Sequence, residues 1–370
     1  MTFELEPDLI HLNHAAVAPW PTRTREAVEA FARENATRGS LHYSRWLETE
    51  SRLRADLGRL IQAPAEDIAL LKNTSEALSV VAHGLHWQEG DRIVISNEEF
   101  PSNRIVWESL QTRGVRVVEV DPRAGATPED ALMAACDEHT RLLAISSVQY
   151  ASGLRVDLER LGRFCREHDI LFCIDAIQSL GAVRLDVQAA RADFVMADGH
   201  KWLLGPEGVA LFYSTPAARE RLTLHQYGWH MVETIDFDRR DWRPAASARR
   251  FECGSPNMLG IHALQASVSL LLETGMDHVE REVLARARHL FGRIEASRHL
   301  ECLTDTRPGR HAGIVLFRHR RIPSTRLYEW LMSNRVLCAR RGAGVRFSPH
   351  FYTDYAQIDT AIRLADACPE

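Results

Sequence analysis

The chain is nearly devoid of lysine. Of its 45 lysines and arginines, only Lys72 and Lys201 are lysines. Such a skew fits a coding bias towards arginine on the solvated surface. No basic run with interleaved aromatics accompanies it, so nucleic acid is not an expected partner. Chemistry that needs a primary amine, such as Schiff-base formation, is left with two candidates. Cysteines are few and scattered: seven, at 136, 165, 173, 253, 302, 338 and 368, with no C-x-x-C spacing. That speaks against disulfides and against a zinc site, and no metal is expected. No window approaches 18 consecutive apolar residues, and MTFELEPDLI has no basic stretch ahead of an apolar one. A cytoplasmic protein without a membrane partner is the expectation. Neither G-x-G-x-x-G nor a P-loop occurs, which disfavours a nucleotide-binding α/β protein.

What is present is an ordinary globular composition. The 370 residues are 45% hydrophobic and 26% charged, with a net charge of −5, enough for two domains or one large one. After an extended segment at 11–21, amphipathic patterns predict helices at about 22–36 and 43–62. Short runs rich in Val, Ile and Leu at 68–71, 92–96, 115–120, 142–148, 170–175, 192–198 and 208–213 then alternate with helical stretches at 75–85, 102–113 and 157–168. The alternation predicts an α/β fold with a mostly parallel sheet flanked by helices. Segment 225–250 is aromatic and charged without a period. A long helical pattern covers 257–297, with a break expected near Gly275. Strand-like 311–318, a helix at 324–334, strand-like VLCAR and VRFSP and a last helix from about 354 predict a smaller α+β C-terminal domain. The expected division is a large domain at 16–250 and a small one at 251–370 joined by residues 1–15.

Three constellations carry chemistry. The first, Asp198-Gly-His-Lys-Trp-Leu-Leu-Gly-Pro-Glu-Gly208, puts an amine at a strand end, where open α/β sheets bind ligands, although loop lysines are common. The second places Asp175 at the carboxyl end of ILFCID, with Gln178 one turn on. A buried carboxylate there needs a cation such as a protonated pyridine, or else Asp175 caps a helix. The third, Lys72-Asn-Thr-Ser-Glu-Ala-Leu78, opens a helix with hydroxyls and free N–H groups suited to phosphate, or serves as a cap alone.

Together these motifs resemble the class V aminotransferase family of fold-type I pyridoxal phosphate (PLP) enzymes, which includes cysteine desulfurases, kynureninases and isopenicillin N epimerase. The resemblance runs in order through LNHAA (12–16), NTSEA (73–77), EEFPSN (98–103), SVQYASG (147–153), DAIQ (175–178), DGHKWLLGPEG (198–208), FECGSPN (251–257) and VRFSPHFY (345–352). It implies that Lys201 binds the cofactor as a Schiff base. Asp175 then pairs with the pyridine nitrogen, Gln178 meets the phenolic oxygen, and Phe100 stacks on the ring. Thr74 and Ser75 contact the phosphate, with Ser255 donated by the other subunit of a homodimer. Arg346 clamps the substrate carboxylate, and Asn13 and His14 border the substrate. Either Gln149 or Tyr150 faces the ring where an asparagine is common. His200 is read as a catalytic site-wall residue or as packing. Asp198 stands where many relatives have a phosphate-binding serine, so it is expected to point away or to pair with an arginine.

The resemblance fixes the chemistry class and leaves the reaction open. A desulfurase needs a cysteine on a mobile loop ahead of the carboxylate-binding arginine. Here the nearest is Cys338, in an apolar run, with only 342–345 separating Arg341 from Arg346. The expected activity is an aminotransferase. The alternatives are a Cβ-eliminating C–S lyase, with His14, His200 or Tyr150 as the leaving-group acid, an epimerase, or a degenerate binding protein, which the intact set of site residues disfavours.

Overall fold

The computed structural model describes residues 3–369. Strand β1 (Ile10–His11) leads to helices α1 (Thr22–Arg38) and α2 (Tyr43–Ile61), the latter ended by Gln62 in the left-handed region. The alternating part follows as β2 (Ile68–Leu71), α3 (Thr74–Gly84), β3 (Arg92–Ser96), α4 (Ser102–Glu108), β4 (Arg116–Val120), α5 (Pro128–Ala134), β5 (Thr140–Ser146), α6 (Leu158–Glu167), β6 (Leu171–Asp175), β7 (Phe194–Asp198), β8 (Ala210–Ser214) and α7 (Pro216–Arg219). Then come α8 (Met258–Thr274), α9 (Met276–Glu295), β9 (Leu300–Cys302), β10 (Val315–His319), α10 (Ser324–Ser333), β11 (Val336–Leu337), β12 (Ala339–Arg341), β13 (Gly344–Phe347) and α11 (Tyr355–Asp366). Helix α5 has no counterpart in the sequence reading. Its seven residues are too few to show a period, although Thr127 and Asp130 form a reciprocal capping box at its start. Gly275, at φ 82°, breaks the long helical pattern into α8 and α9, as the glycine suggested.

Seven strands form the main sheet in the order β2-β8-β7-β6-β5-β3-β4. All neighbours are parallel except that β8 runs antiparallel to both β2 and β7. Successive residues of its strands point to opposite faces, and both faces are covered. Leu143, Ile145, Phe172, Ile174 and Val195 join one core, while Leu142, Ala144, Leu171, Cys173 and Phe194 join the other. Two covered faces explain why these strands read as unbroken apolar runs. A third core gathers Leu12, residues of α9, α10 and α11, and the four-stranded antiparallel sheet β12-β13-β10-β9; β1 pairs separately with β11. Helix α8 packs its Ile261, Leu264 and Val268 into the first core, beside the main sheet.

The strand order reverses between β3 and β5: β4 lies beyond β3 on one side, and β6 and β7 extend beyond β5 on the other. Crossovers leaving in opposite directions open a crevice at the carboxyl ends of these strands. Glu99 and Phe100 follow β3, Gln149 and Tyr150 follow β5, Asp175 ends β6, and Asp198 ends β7 just before Lys201.

Candidate active site

The two lysines occupy opposite environments. Lys72 is exposed and paired with Glu76 at 3.5 Å, whereas Lys201 is 8% exposed and its ammonium has no carboxylate within ion-pair distance among the described residues. Burial, with the positive charges of Arg346 and Arg341, outweighs the attraction of Asp175 and Asp198 and lowers Lys201 to about 8. Its Nζ stands 5.5 Å from the centroid of the Phe100 ring, which stays 39% exposed. Tyr150 meets Phe100 edge-on, with centroids 5.1 Å apart.

Asp175 is buried, and its Oδ1 accepts the Ile177 N–H at 3.0 Å. Burial raises its carboxyl to about 6 against the opposing pull of that N–H and Lys201. Gln178 has its amide orientation fixed from two sides. The Trp202 indole N–H donates to Oε1 at 3.1 Å, and Nε2 donates to the Ala15 carbonyl at 3.0 Å, which leaves one amide hydrogen uncommitted. At the start of α3, Asn73 caps the helix by accepting the Glu76 N–H at 2.9 Å. Thr74 Oγ1 is buried with no hydrogen-bond partner, an orphan at a helix N-terminus where an anion is favoured. The exposed Ser75 hydroxyl donates to Ser102 at 2.8 Å. This set fits PLP: an unsatisfied hydroxyl at a phosphate-type cradle, a buried carboxylate lacking a cation, a spare amide hydrogen, an aromatic face, and a buried amine.

Arg346, on β13, is fully buried. One terminal nitrogen donates to the Tyr150 carbonyl at 2.6 Å, the other lies 3.5 Å from Asn13 Oδ1, and Nε has no partner. No carboxylate pairs with it among the described residues. Burial and the neighbouring Arg341 charge lower it to about 9. A buried guanidinium left without an anion is costly, and the arrangement suits an incoming carboxylate.

Several expectations are corrected. His14 is not available as an acid. It is fully buried, its Nδ1 donates to the Ser348 carbonyl at 2.8 Å, and its Nε2 accepts the Tyr352 hydroxyl at 2.6 Å. Burial pushes it well below the usual histidine range. Asp198 pairs with no arginine among the described residues: its Oδ1 lies 3.1 Å from His200 Nδ1, both groups largely buried. Of the Gln149–Tyr150 pair, the tyrosine ring meets Phe100, while buried Gln149 turns its amide nitrogen to Glu99 at 2.7 Å. Ser255, expected to act on the other subunit's site, is exposed on the loop before α8 and lines a hollow with Lys72, Glu76 and Gly208.

The sequence reading also passed over residues that build this site. Glu99 accepts from Ser146 N–H (2.9 Å), Ser146 Oγ (2.5 Å), Gln149 and Asn103, locking the ends of β3 and β5 together, and burial lifts it to about 7. It lay inside the EEFPSN motif, as Trp202 lay inside DGHKWLLGPEG. An acidic residue at the end of an apolar strand was the available signal.

A model of the family described as Aminotransferase class-V matches residues 10–365. A probable cysteine desulfurase of Methanothermobacter thermautotrophicus is 30% identical over 341 residues, 90% of this chain and 84% of its own. A cysteine desulfurase of Salmonella typhimurium is 29% identical over 321 residues, 84% of this chain and 77% of its own. Among solved structures, the complex of the cystine C-S lyase C-DES with its reaction product cysteine persulfide superposes with a TM-score of 0.92 at 21% identity, covering 100% of both chains. The apo cysteine desulfurase of Thermococcus onnurineus NA1 does so with a TM-score of 0.86 at 22% identity, covering 97% of this chain and 94% of its own. At these identities the solved structures establish likeness of fold.

Proposed function

The chain belongs to the class-V aminotransferase family of PLP-dependent enzymes, and from that premise we propose that it is a lyase cleaving the Cβ–S bond of a cysteine-like amino acid. The observation that carries the reading is the β12–β13 hairpin. It closes through two residues, Gly342 and Ala343, with Gly342 at φ 51°. So tight a turn carries no thiol to a substrate. Cys338, between β11 and β12, is buried, and burial pushes its thiol up to about 12, far from a nucleophilic thiolate at neutral pH. The relatives named above are cysteine desulfurases, and a cystine C-S lyase shares the fold. Sulfur chemistry without a reachable acceptor thiol favours elimination, with sulfur leaving as a small thiol or persulfide, over both desulfuration and the aminotransferase activity first expected.

In this reading Lys201, Asp175, Gln178, Phe100, Thr74 and Ser75 hold PLP, and Ser255 of the partner subunit completes the phosphate contacts in a homodimer. Bound there, PLP supplies an electron sink for charge developing at the substrate Cα. Arg346 orients the substrate through its α-carboxylate, and Asn13 steadies the guanidinium from the far side. Lys201 Nζ, the buried amine of the site, takes the Cα proton. Asp175 keeps a positive charge on the pyridine nitrogen. Tyr150 and His200 are the groups left to protonate departing sulfur, since His14 is committed to Tyr352. We read the chain as a large cofactor-binding unit and a small C-terminal unit, with α8 on the side of the former.

The test is to incubate the holoenzyme with single amino acids and no keto acid, following the visible spectrum and the products. L-Cystine or an S-alkylcysteine should yield pyruvate, ammonia and a thiol or persulfide over many turnovers while the spectrum returns to its start. A single equivalent of keto acid with a stable pyridoxamine spectrum would instead establish an aminotransferase.

A further inference from the structure

Arg341 is a second guanidinium at the same pocket, and the carboxylate reading of Arg346 leaves it unexplained. It ends β12, opposite Gly344 on β13, while Arg346 stands opposite Ala339. Cross-strand partners share a face, as do residues two apart along a strand. Ala339, Arg341, Gly344 and Arg346 therefore point to one face of the sheet. With glycine opposite it, the Arg341 side chain has room to lie over that face. Its guanidinium carbon sits 5.8 Å from the Tyr150 ring centroid. A line of contacts thus runs from Lys201 Nζ to Phe100, to Tyr150, to Arg341.

Arg341 forms no ion pair with a carboxylate among the described residues. One terminal nitrogen donates to the carbonyl of its neighbour Arg340 at 2.8 Å, and its Nε is buried without a partner. Its charge also helps lower both Arg346 and Lys201. Two cations facing one pocket with no counter-charge repel each other, and an arriving anion relieves that repulsion. One α-carboxylate accounts for Arg346 and leaves the second guanidinium unmatched.

We propose that Arg341 selects substrates by a second carboxylate carried beyond the sulfur, so that the substrate class is Cβ-thio amino acids with two carboxylates that span the two arginines. The proposal rests on the lyase reading for the identity of the leaving group, and on the geometry alone for the second anion site. Planar forks on adjacent strands suit two carboxylates held a fixed distance apart.

The experiment compares kcat/KM of the holoenzyme for S-carboxymethylcysteine and L-cystine with that for S-methylcysteine and S-ethylcysteine, in wild type, Arg341→Gln and Arg341→Lys. The wild-type preference for the dicarboxylate pair should be about 10- to 100-fold, the range for a partly exposed charge-assisted contact. It should fall at least tenfold in Arg341→Gln, mainly through KM, with part of it retained in Arg341→Lys. Equal kcat/KM for the two classes in wild type, or an equal loss for both in Arg341→Gln, would overturn the proposal. Titrating the visible band of the holoenzyme with succinate and with propionate reads the second site without turnover. Tighter succinate binding that Arg341→Gln abolishes supports the site even if the panel shows transamination, and indifference to the second carboxylate refutes it even if the enzyme is a lyase.

Discussion

Replacing Arg346 with methionine separates a binding role from a structural one, because the two effects carry opposite signs. A guanidinium drawn from 12.5 to about 9 by burial has its charged form disfavoured by on the order of 5 kcal/mol relative to water. Against that stand its short bond to the Tyr150 carbonyl and its weaker contact with Asn13. A charged hydrogen bond is worth about 1.5–3 kcal/mol, and the Tyr150 carbonyl is left unpaired when it goes. Methionine fills a similar volume without charge, so the expected change in stability runs from zero to a gain of about 2 kcal/mol. Catalysis moves the other way. Losing a buried partner for the substrate carboxylate costs about 2–5 kcal/mol, or about 30- to 5,000-fold in kcat/KM. Thermal unfolding of the cofactor-loaded protein and steady-state kinetics read the two quantities. A lowered melting temperature together with reduced activity would make Arg346 a structural group, and an unchanged kcat/KM would remove it from substrate binding.

Borohydride reduction of the holoenzyme should fix the cofactor to Lys201; Lys201→Ala should lose both the label and the visible absorbance, while Lys72→Ala keeps both, and label on Lys72 would refute the assignment. Asp175, raised to about 6 in the fold against 3.8 unfolded, favours the cofactor-free protein most below pH 4, a share lost as pH rises through 6. PLP supplies the missing cation, so its stabilising effect should be larger at pH 8 than at pH 5, and Asp175→Asn should abolish that difference; a gain independent of pH in the wild type would contradict the pairing. Light scattering should find a dimer, with Ser255→Ala weakening cofactor retention, and a fully active monomer would exclude a contribution from Ser255 of the partner subunit.

With only two lysines in the chain the choice of amine was narrow, and the family resemblance, rather than the strand-end motif alone, pointed to Lys201, which the structure buries. Asp175 and Gln178 were legible from their place after an apolar strand. His14 was not, since its motif says nothing of Tyr352, 338 residues away, whose hydroxyl occupies the nitrogen an acid would need. Asp198 was expected to point away from a phosphate or to pair with an arginine, and the charged group in reach is His200, two residues on. Glu99 was hidden because a strand-end acid looks solvated until the strands beside it are known.

Periodicity and composition determined the alternation of strands and helices and the break at Gly275, while the PLP reading came from the resemblance of the motifs to a known family. The first two depend on local burial, which repeats along the chain and so leaves a pattern in it. Only the tertiary structure decided that β8 runs against its neighbours, that α8 packs beside the main sheet, and that Arg341 and Arg346 share a face, neither paired with a carboxylate among the described residues. Strand direction, packing partner and unmet charge depend on residues brought together from distant segments, and one-dimensional order carries no record of which charges will end up alone.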